Sequence, residues 1–469
     1  MKIDPVYTVA SMTQSLKGSF SNVDGNRAVS GFCIDSRTLK QGEWFFCISG
    51  DRTNGHLYIE NALEEGAAGI IAEKQQVPEH LQSLNIPWVW VKNCNTALRD
   101  WAEAHRIRFK GKVFAITGSN GKTSTKEILA GLCRHLTPKT HATSGNFNNF
   151  IGLPLTLLSA PLESEYWVVE MGSNCPGEIK TLSLIAKPDF ALITSIGASH
   201  MEFFKNTQEV AVEKSGILAG MSKGSTLVCP ANILERKEIQ AQATRQQMKT
   251  IFCGFKHDLK APANVCAEVL NESEGSLLLF ETKFQTTIRN SLFRSNLLIA
   301  LTSLHEANVS ISQLQKACAS LQLEVSGRFQ EIHVKNWLLI NDSYNANSSS
   351  FQEVLLSIKK LYPNRHLIVV AGAMAELGTQ SHKLHCQTGA MIAQAGSAYL
   401  FVWKSTPESE SYLQGWNEAG GETKNAIVAD NLESLTQQFN EIVRPNDVVL
   451  VKGSRSARME RFVEVVEKF

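Results

Sequence analysis

Residues 113–126, VFAITGSNGKTSTK, set an apolar run against a glycine-bearing turn and a Lys-Thr pair. The run predicts a buried strand, and the turn lets the backbone approach an anion at Gly118 and Gly121. A helix opening at Lys122 would aim its free N–H groups at the same anion. Lys122 adds charge, Thr123 offers a hydroxyl to a phosphate-bound Mg²⁺, and Ser119, Asn120 and Ser124 complete the loop. The spacing is the compact G-x-x-G-K-T, with Ile116 where the longer phosphate-loop pattern opens on glycine. The stretch therefore predicts ATP or GTP binding, the plain alternative being a glycine turn ahead of an ordinary helix.

Open parallel sheets place ligands beyond the carboxyl ends of their strands, so other residues at such ends come next. Glu170 closes the apolar run 166–169, where its carboxylate could meet a magnesium ion or merely cap a surface turn. His200 follows the run 190–196 through Gly197-Ala198-Ser199, as a metal ligand or as an isolated histidine. Lys214 shares a helical stripe with Val210, Ile217 and Leu218 over 209–218. That stripe aims the amine inward, where lost hydration would leave neutral amine able to take up CO₂ as a carbamate; snorkelling to water is the alternative. Asn146, Asn148 and Asn149 in SGNFNNFIGLPLTLL are turn formers or ligands of a polar substrate. Asp342 ends the run 337–340, while Lys452 and Arg455 follow the run 448–451; an acid there can hold a ribose hydroxyl, and the bases a phosphate or carboxylate, or all three could be solvated turn charges.

The elements that must position these residues read as α/β throughout. A chain of 469 residues exceeds what one core serves and predicts about three domains. Over 29–91, apolar segments at 44–48, 68–72 and 88–91 alternate with polar turns and a helix-like 57–65, and a helical 95–108 follows. Strand candidates 113–116, 167–170, 190–194 and 226–229 alternate with helices in a mostly parallel central sheet, with antiparallel strands decorating it over 261–287. The rhythm restarts after Ser326-Gly327-Arg328 with 337–341, 366–372, 399–403, 426–428 and 448–451. The divisions are 1–108, a small α/β domain; 109–323, the phosphate-loop domain; and 324–469, a Rossmann-like α/β domain. A composition of 43% hydrophobic and 19% charged residues with net charge +1 offers no general attraction to nucleic acid or anionic membrane. Ten scattered cysteines, with apolar neighbours at Cys33, Cys47, Cys229 and Cys318, suggest buried thiols in a reducing cytoplasm. The absence of a long apolar segment argues against secretion and membrane insertion.

These segments together resemble the Mur ligases of peptidoglycan synthesis, nearly end to end. The resemblance is carried by DSR at 35–37, GDRTNGHLYIENALEEGA at 50–67, TGSNGKTSTK, NFNNFIGLPLTLL, EMG, IGASHMEFF, NDSYNANSSS, GAMAELG at 372–378 and VKGSR. The DSYNAN and ELG elements belong to the branch that adds a dipeptide rather than one amino acid. The resemblance implies a monomeric cytoplasmic ATP-dependent peptide ligase serving cell-wall synthesis, cell shape and division. Such an enzyme joins D-alanyl-D-alanine to UDP-N-acetylmuramoyl-tripeptide through an acyl phosphate and a tetrahedral intermediate. It further implies Lys122 on the phosphates, Thr123 and Glu170 on one Mg²⁺, and His200 with carbamylated Lys214 on a second. Asn296 would lie at the adenine, Arg328 and Asp342 on the nucleotide, and Ser36 and Arg37 near the uridine diphosphate. Asn345, Lys452 and Arg455 would face the dipeptide or the phosphates. Asn54, Ser295, Asn341 and Ala373 depart from the family pattern. Competing readings are a sister ligase adding a single amino acid, a folylpolyglutamate synthase-like ligase, and a nucleotide-gated binding protein that forms no bond.

Overall fold

The computed structural model describes residues 7–50, 53–197, 202–272, 274–323, 325–404 and 406–468. Alternation of short apolar runs with amphipathic helices builds three sheets, as the α/β pattern requires. The first has five strands in the order Ser19–Ser21, Trp88–Val91, Gly69–Glu73, Trp44–Phe46, Phe32–Cys33, parallel except for Ser19–Ser21. The third has six, ordered Gln330–Val334, Trp337–Asp342, Val448–Lys452, Leu367–Ala371, Tyr399–Trp403, Ala426–Ala429, with only Gln330–Val334 antiparallel.

The central nine-stranded sheet carries the loop of interest. Its order is Thr140–Ala142, Tyr166–Glu170, Lys112–Thr117, Phe190–Ile193, Thr226–Pro230, Lys249–Phe255, Val265–Asn271, Ser276–Leu279, Thr282–Gln285. The last two strands alone pair antiparallel, forming the decoration expected over 261–287. Lys112–Thr117 lies between Tyr166–Glu170 and Phe190–Ile193, so the chain departs from it to one side and returns on the other. Loops diverge at such a reversal and leave a crevice at the strands' carboxyl ends.

Some elements differ from the sequence reading. Gln330–Val334 and Lys249–Phe255 are additional strands; the first alternates exposed and half-buried residues at a sheet edge, and the second is interrupted by Gly254, so neither shows an uninterrupted apolar run. The helix bearing Lys214 spans Thr207–Ser215, capped by Asn206, and tightens into a 3₁₀ turn over Gly216–Gly220 instead of continuing to 218. Cys47, Cys229 and Cys318 are buried, but Cys33 is half-exposed and donates its S–H to the Asp35 carbonyl at 3.2 Å. Among the described residues no helix is long and apolar enough to cross a membrane.

The first sheet is fastened to the central one through the helix Cys94–Arg108. One cluster of buried apolar side chains, Tyr7 and Phe252 among them, runs from the first sheet onto one face of the central sheet; the central sheet's other face has its own core, and the third sheet has one on each face. His105 donates from Nε2 to the Ala160 carbonyl at 2.9 Å and accepts at Nδ1 from Tyr7 at 3.2 Å. Phe109 stacks on Trp167 with ring centres 3.8 Å apart. Arg106 donates to the carbonyls of Ala186 at 2.8 Å and Lys187 at 2.7 Å, and reaches Asp189 at 3.3 Å. Losing a buried charged donor of this kind costs about 2–4 kcal/mol, because the carbonyls left behind stay dry. Arg106→Ala should lower the denaturant-unfolding free energy by about that amount; a loss below about 1 kcal/mol would show that Arg106 does not fasten the sheets.

Candidate active site

The loop after Lys112–Thr117 is held flat against the one after Phe190–Ile193. Gly118 has φ +146°, and a Cβ there would strike the Thr194 hydroxyl, so both conformation and space demand glycine. Ser119 N donates to the Ser195 carbonyl at 2.9 Å, Asn120 N to the Ser195 hydroxyl at 2.8 Å, and the Thr194 hydroxyl to the Asn120 carbonyl at 2.5 Å. Gly121, at φ +80°, precedes the helix Lys122–Leu136 and packs against Asn296, whose Oδ1 would sit 3.0 Å from any added Cβ. Lys122 Nζ donates back to the carbonyls of Gly118 at 2.7 Å and Ser119 at 3.3 Å. Burial holds its pKa below the usual lysine range, with the Glu170 charge opposing that fall and the Arg328 charge adding to it.

The third sheet meets this loop from across the crevice. Asn120 donates to the Ser349 hydroxyl at 3.0 Å and accepts from the Asn347 amide at 2.9 Å, where Asn347 caps the helix Ser348–Leu361. Arg328 donates to the Thr123 hydroxyl at 3.1 Å while its guanidinium lies 4.2 Å from the Tyr344 ring centre. Asp342 and Lys452 end adjacent strands in register, and Lys452 Nζ donates to Asp342 Oδ2 at 2.5 Å. The other carboxylate oxygen, Oδ1, accepts from Phe329 N at 2.9 Å. Between these walls is a cleft of about 300 Å³ lined by Lys122, Asn296, Arg328, Asp342, Asn345 and Lys452 among others.

Behind the loop, Glu170 is 2% exposed; Oε1 accepts from the Asn148 amide at 2.7 Å, and Oε2 is buried with no hydrogen-bond partner among the described residues. A dry, unmatched carboxylate oxygen is costly, and a divalent cation is a group that would satisfy it. Lys214 is 1% exposed and donates to the Ser173 hydroxyl at 2.7 Å. The amine therefore points inward rather than snorkelling. Burial, reinforced by the Lys122 charge, pushes its pKa down to about 7 against the opposing pull of Glu213 and Glu178.

The remaining sequence candidates divide. Asn149 Oδ1 accepts from Ile151 N at 3.2 Å and Gly152 N at 2.8 Å in the turn ahead of the helix Gly152–Leu158, so its side chain serves the turn, and Asn146 is exposed. Ser36 is buried and Arg37 exposed on the first domain's 3₁₀ turn Ser36–Thr38, where Arg37 forms three bonds to Asp35, two of them from its guanidinium; neither lines the cleft. Arg455 is exposed beside Glu460 and also lies off the cleft. His200 lies outside the described residues. Asn341, a departure from the family pattern, accepts from both Ser343 N and its hydroxyl, and Asn54 accepts from His56 N. Sequence reasoning missed Thr194, Ser195, Asn347, Ser349 and Ser173. The strand-end rule applied one step further along 190–196 finds the first two.

A phosphate-type loop at a sheet reversal, faced by charged groups from a separate α/β domain, defines a nucleotide-dependent enzyme. Three family descriptions match in chain order: the Mur ligase family catalytic domain over residues 28–106, the Mur ligase middle domain over 116–304, and the Mur ligase glutamate ligase domain over 327–455. The chain belongs to the Mur ligase family. It is 29% identical over 463 residues to a UDP-N-acetylmuramoyl-tripeptide–D-alanyl-D-alanine ligase of Bacillus subtilis, covering 97% of each chain. The enzyme of the same name from Escherichia coli is 27% identical, covering 98% of each. The crystal structure of MurF ligase from Thermotoga maritima in complex with ADP is 29% identical with a TM-score of 0.79, covering 93% of this chain and 97% of that one. A MurF structure from Acinetobacter baumannii gives a TM-score of 0.88 at 24% identity over 100% of both chains, and so shares the three-domain fold.

The lowered pKa of Lys214 makes stability depend on pH. Between about 7 and the unfolded lysine value of about 10.4, the unfolded chain binds the proton that the folded chain has released, so this group makes stability rise with pH. In buffer free of metal and bicarbonate, Lys214→Met should remove that contribution and stabilise more at pH 7 than at pH 9. Urea titrations of both proteins at the two values measure it, and an equal difference at both would show that Lys214 keeps an ordinary pKa.

Proposed function

We infer that this protein is an ATP-dependent ligase joining D-alanyl-D-alanine to UDP-N-acetylmuramoyl-tripeptide, giving the pentapeptide, ADP and phosphate. The observation that carries this reading is the phosphate loop bonded through Asn120 to a helix of a third domain, in a chain whose relatives of nearly equal length carry that ligase name. Carboxylates resist direct attack by amines, so the acid must first be given a better leaving group. The terminal carboxylate of the tripeptide attacks the γ-phosphorus of ATP, the bond to the bridging oxygen breaks and ADP departs. The dipeptide amine then attacks the acyl carbonyl, loses a proton, and the tetrahedral adduct expels phosphate.

The chain's own groups supply alignment and charge. Lys122 sits where it can exchange its loop carbonyls for phosphate oxygens, and Arg328 can pass from the Thr123 hydroxyl to the same charge. Glu170 and Thr123 would hold Mg²⁺, which neutralises phosphoryl charge when bound; the unmatched Glu170 Oε2 supports this assignment. His200 and a carbamate on Lys214 would hold a second ion. The buried, partly neutral amine supports that modification, and Ser173 beside it is a donor for the carbamate oxygens. Asn296 would meet the adenine, and Asn345 and Lys452 the dipeptide or phosphate. Ser36, Arg37 and the exposed Asn146 are assigned to the nucleotide-sugar substrate, and Arg455 to the dipeptide side. Asn148 and Asn149 act from the loop facing Glu170. The domains 1–108, 109–323 and 324–469 would bind the UDP-sugar, ATP and the incoming dipeptide respectively.

Phosphate release should require ATP, UDP-N-acetylmuramoyl-tripeptide and D-alanyl-D-alanine together. Release supported only by a single amino acid would favour a sister ligase, and nucleotide binding without turnover a switch. Lys122→Ala should lower kcat by about 100-fold or more; near-normal turnover would remove it from the phosphate site. Lys214→Ala should lose activity that short carboxylic acids partly restore, and failure of every such acid to raise the rate would count against the carbamate.

A further inference from the structure

Glu353 is a half-buried carboxylate on the helix Ser348–Leu361 that lines the cleft and has no hydrogen bond or ion pair among the described residues. Its carboxyl pKa is raised, chiefly by burial and further by the Asp342 charge, with Lys452 opposing. Nearby anionic capacity is already committed: Asp342 accepts from Phe329 N at 2.9 Å and from Lys452 at 2.5 Å. Glu353 thus presents two free acceptor oxygens inside a substrate cleft, an arrangement that costs free energy until donors arrive.

Position along the helix says which donors fit. Ser349 bonds the phosphate loop through Asn120 at 3.0 Å, and Glu353 follows it at i+4 on the same face, one turn or about 6 Å further from the loop. An offset of that size matches the step from a bound phosphate to its sugar. The cleft also carries Pro230, Phe293 and Val354, whose apolar surfaces suit the flat faces of a base and offer hydroxyls nothing. The amine of an incoming dipeptide must instead reach an acyl carbon beside the γ-phosphate, at the loop end. We propose that Glu353 is the ribose-binding residue of this protein, its two carboxylate oxygens accepting from the vicinal 2′- and 3′-hydroxyls of ATP. The assignment rests on ATP occupying the cleft as inferred above, and transfers to Glu353 the sugar contact expected of Asp342.

Steady-state ligation by the full chain with ATP, 2′-deoxy-ATP, 3′-deoxy-ATP and N6-methyl-ATP tests it. Wild-type protein should show a KM for either deoxy analogue about tenfold or more above that for ATP, as expected for a lost bond to a charged acceptor. Glu353→Ala should raise the KM for ATP by a similar factor, more than it lowers kcat, and should erase the preference over the deoxy analogues. Glu353→Gln, which keeps one acceptor oxygen, should retain part of that preference. Full discrimination against the deoxy analogues in Glu353→Ala would overturn the proposal, as would lost discrimination against N6-methyl-ATP alone or a change confined to the dipeptide KM. Calorimetry with ADP separates the two readings. Wild-type protein that binds no ADP fails the ATP reading itself, whereas ADP binding with unaltered sugar preference in the variant fails only this inference.

Discussion

The site depends on one close approach, that of Gly118 to Thr194. No side chain fits between the two loops, and the hydrogen bonds from Ser119, Asn120 and Thr194 form because the backbones lie so near. With the loop pinned this way, the carbonyls of Gly118 and Ser119 converge on Lys122, and Asn120 is turned outward to the third domain. Sheet order supplies the opportunity, since Lys112–Thr117 and Phe190–Ile193 are neighbours at the reversal. Glycine supplies the clearance.

Around that pinned loop, cations are held by carbonyls and hydroxyls as much as by carboxylates. Lys122 bonds carbonyl oxygens, Lys214 a serine hydroxyl and Arg328 a threonine hydroxyl, whereas among the described residues of the cleft only Lys452 has a direct carboxylate partner. Neutral acceptors stabilise a cation less than an anion does, so Lys122 and Arg328 carry positive potential that phosphoryl oxygens can take up without breaking strong ion pairs. The Asp342–Lys452 pair is different in kind: strand register sets it, and it joins two strands at their functional ends.

Much of this arrangement was legible from residue types and spacing. The phosphate loop and the strand-end position of Glu170 follow from local patterns that the folded chain obeys, and Lys214 points inward as its stripe indicates although the helix tightens after Ser215. What stayed hidden were partnerships made across sequence. Nothing near Asn120 announces Ser349 and Asn347 more than 200 positions away, with separations of 229 and 227 residues. The two roles weighed for the asparagine cluster also divided by neighbour: Asn149 holds the turn ahead of a helix, while Asn148 holds the Glu170 carboxylate. Edge strands such as Gln330–Val334 escaped because a strand paired on one side needs only half an apolar pattern.

The core shared by the first and central sheets has a mechanical consequence. One buried apolar cluster joins the first sheet to one face of the central sheet, and Arg106 ties the joint, while the third sheet keeps its own two cores and meets the rest through polar contacts such as Asn120 with Ser349 and the packing of Phe293 on Phe329. A chain with three sheets is therefore built as two cooperative units. Rotation about the linker near Gly327 would carry the third sheet away as a lid, and the other two would travel, and melt, as a single piece.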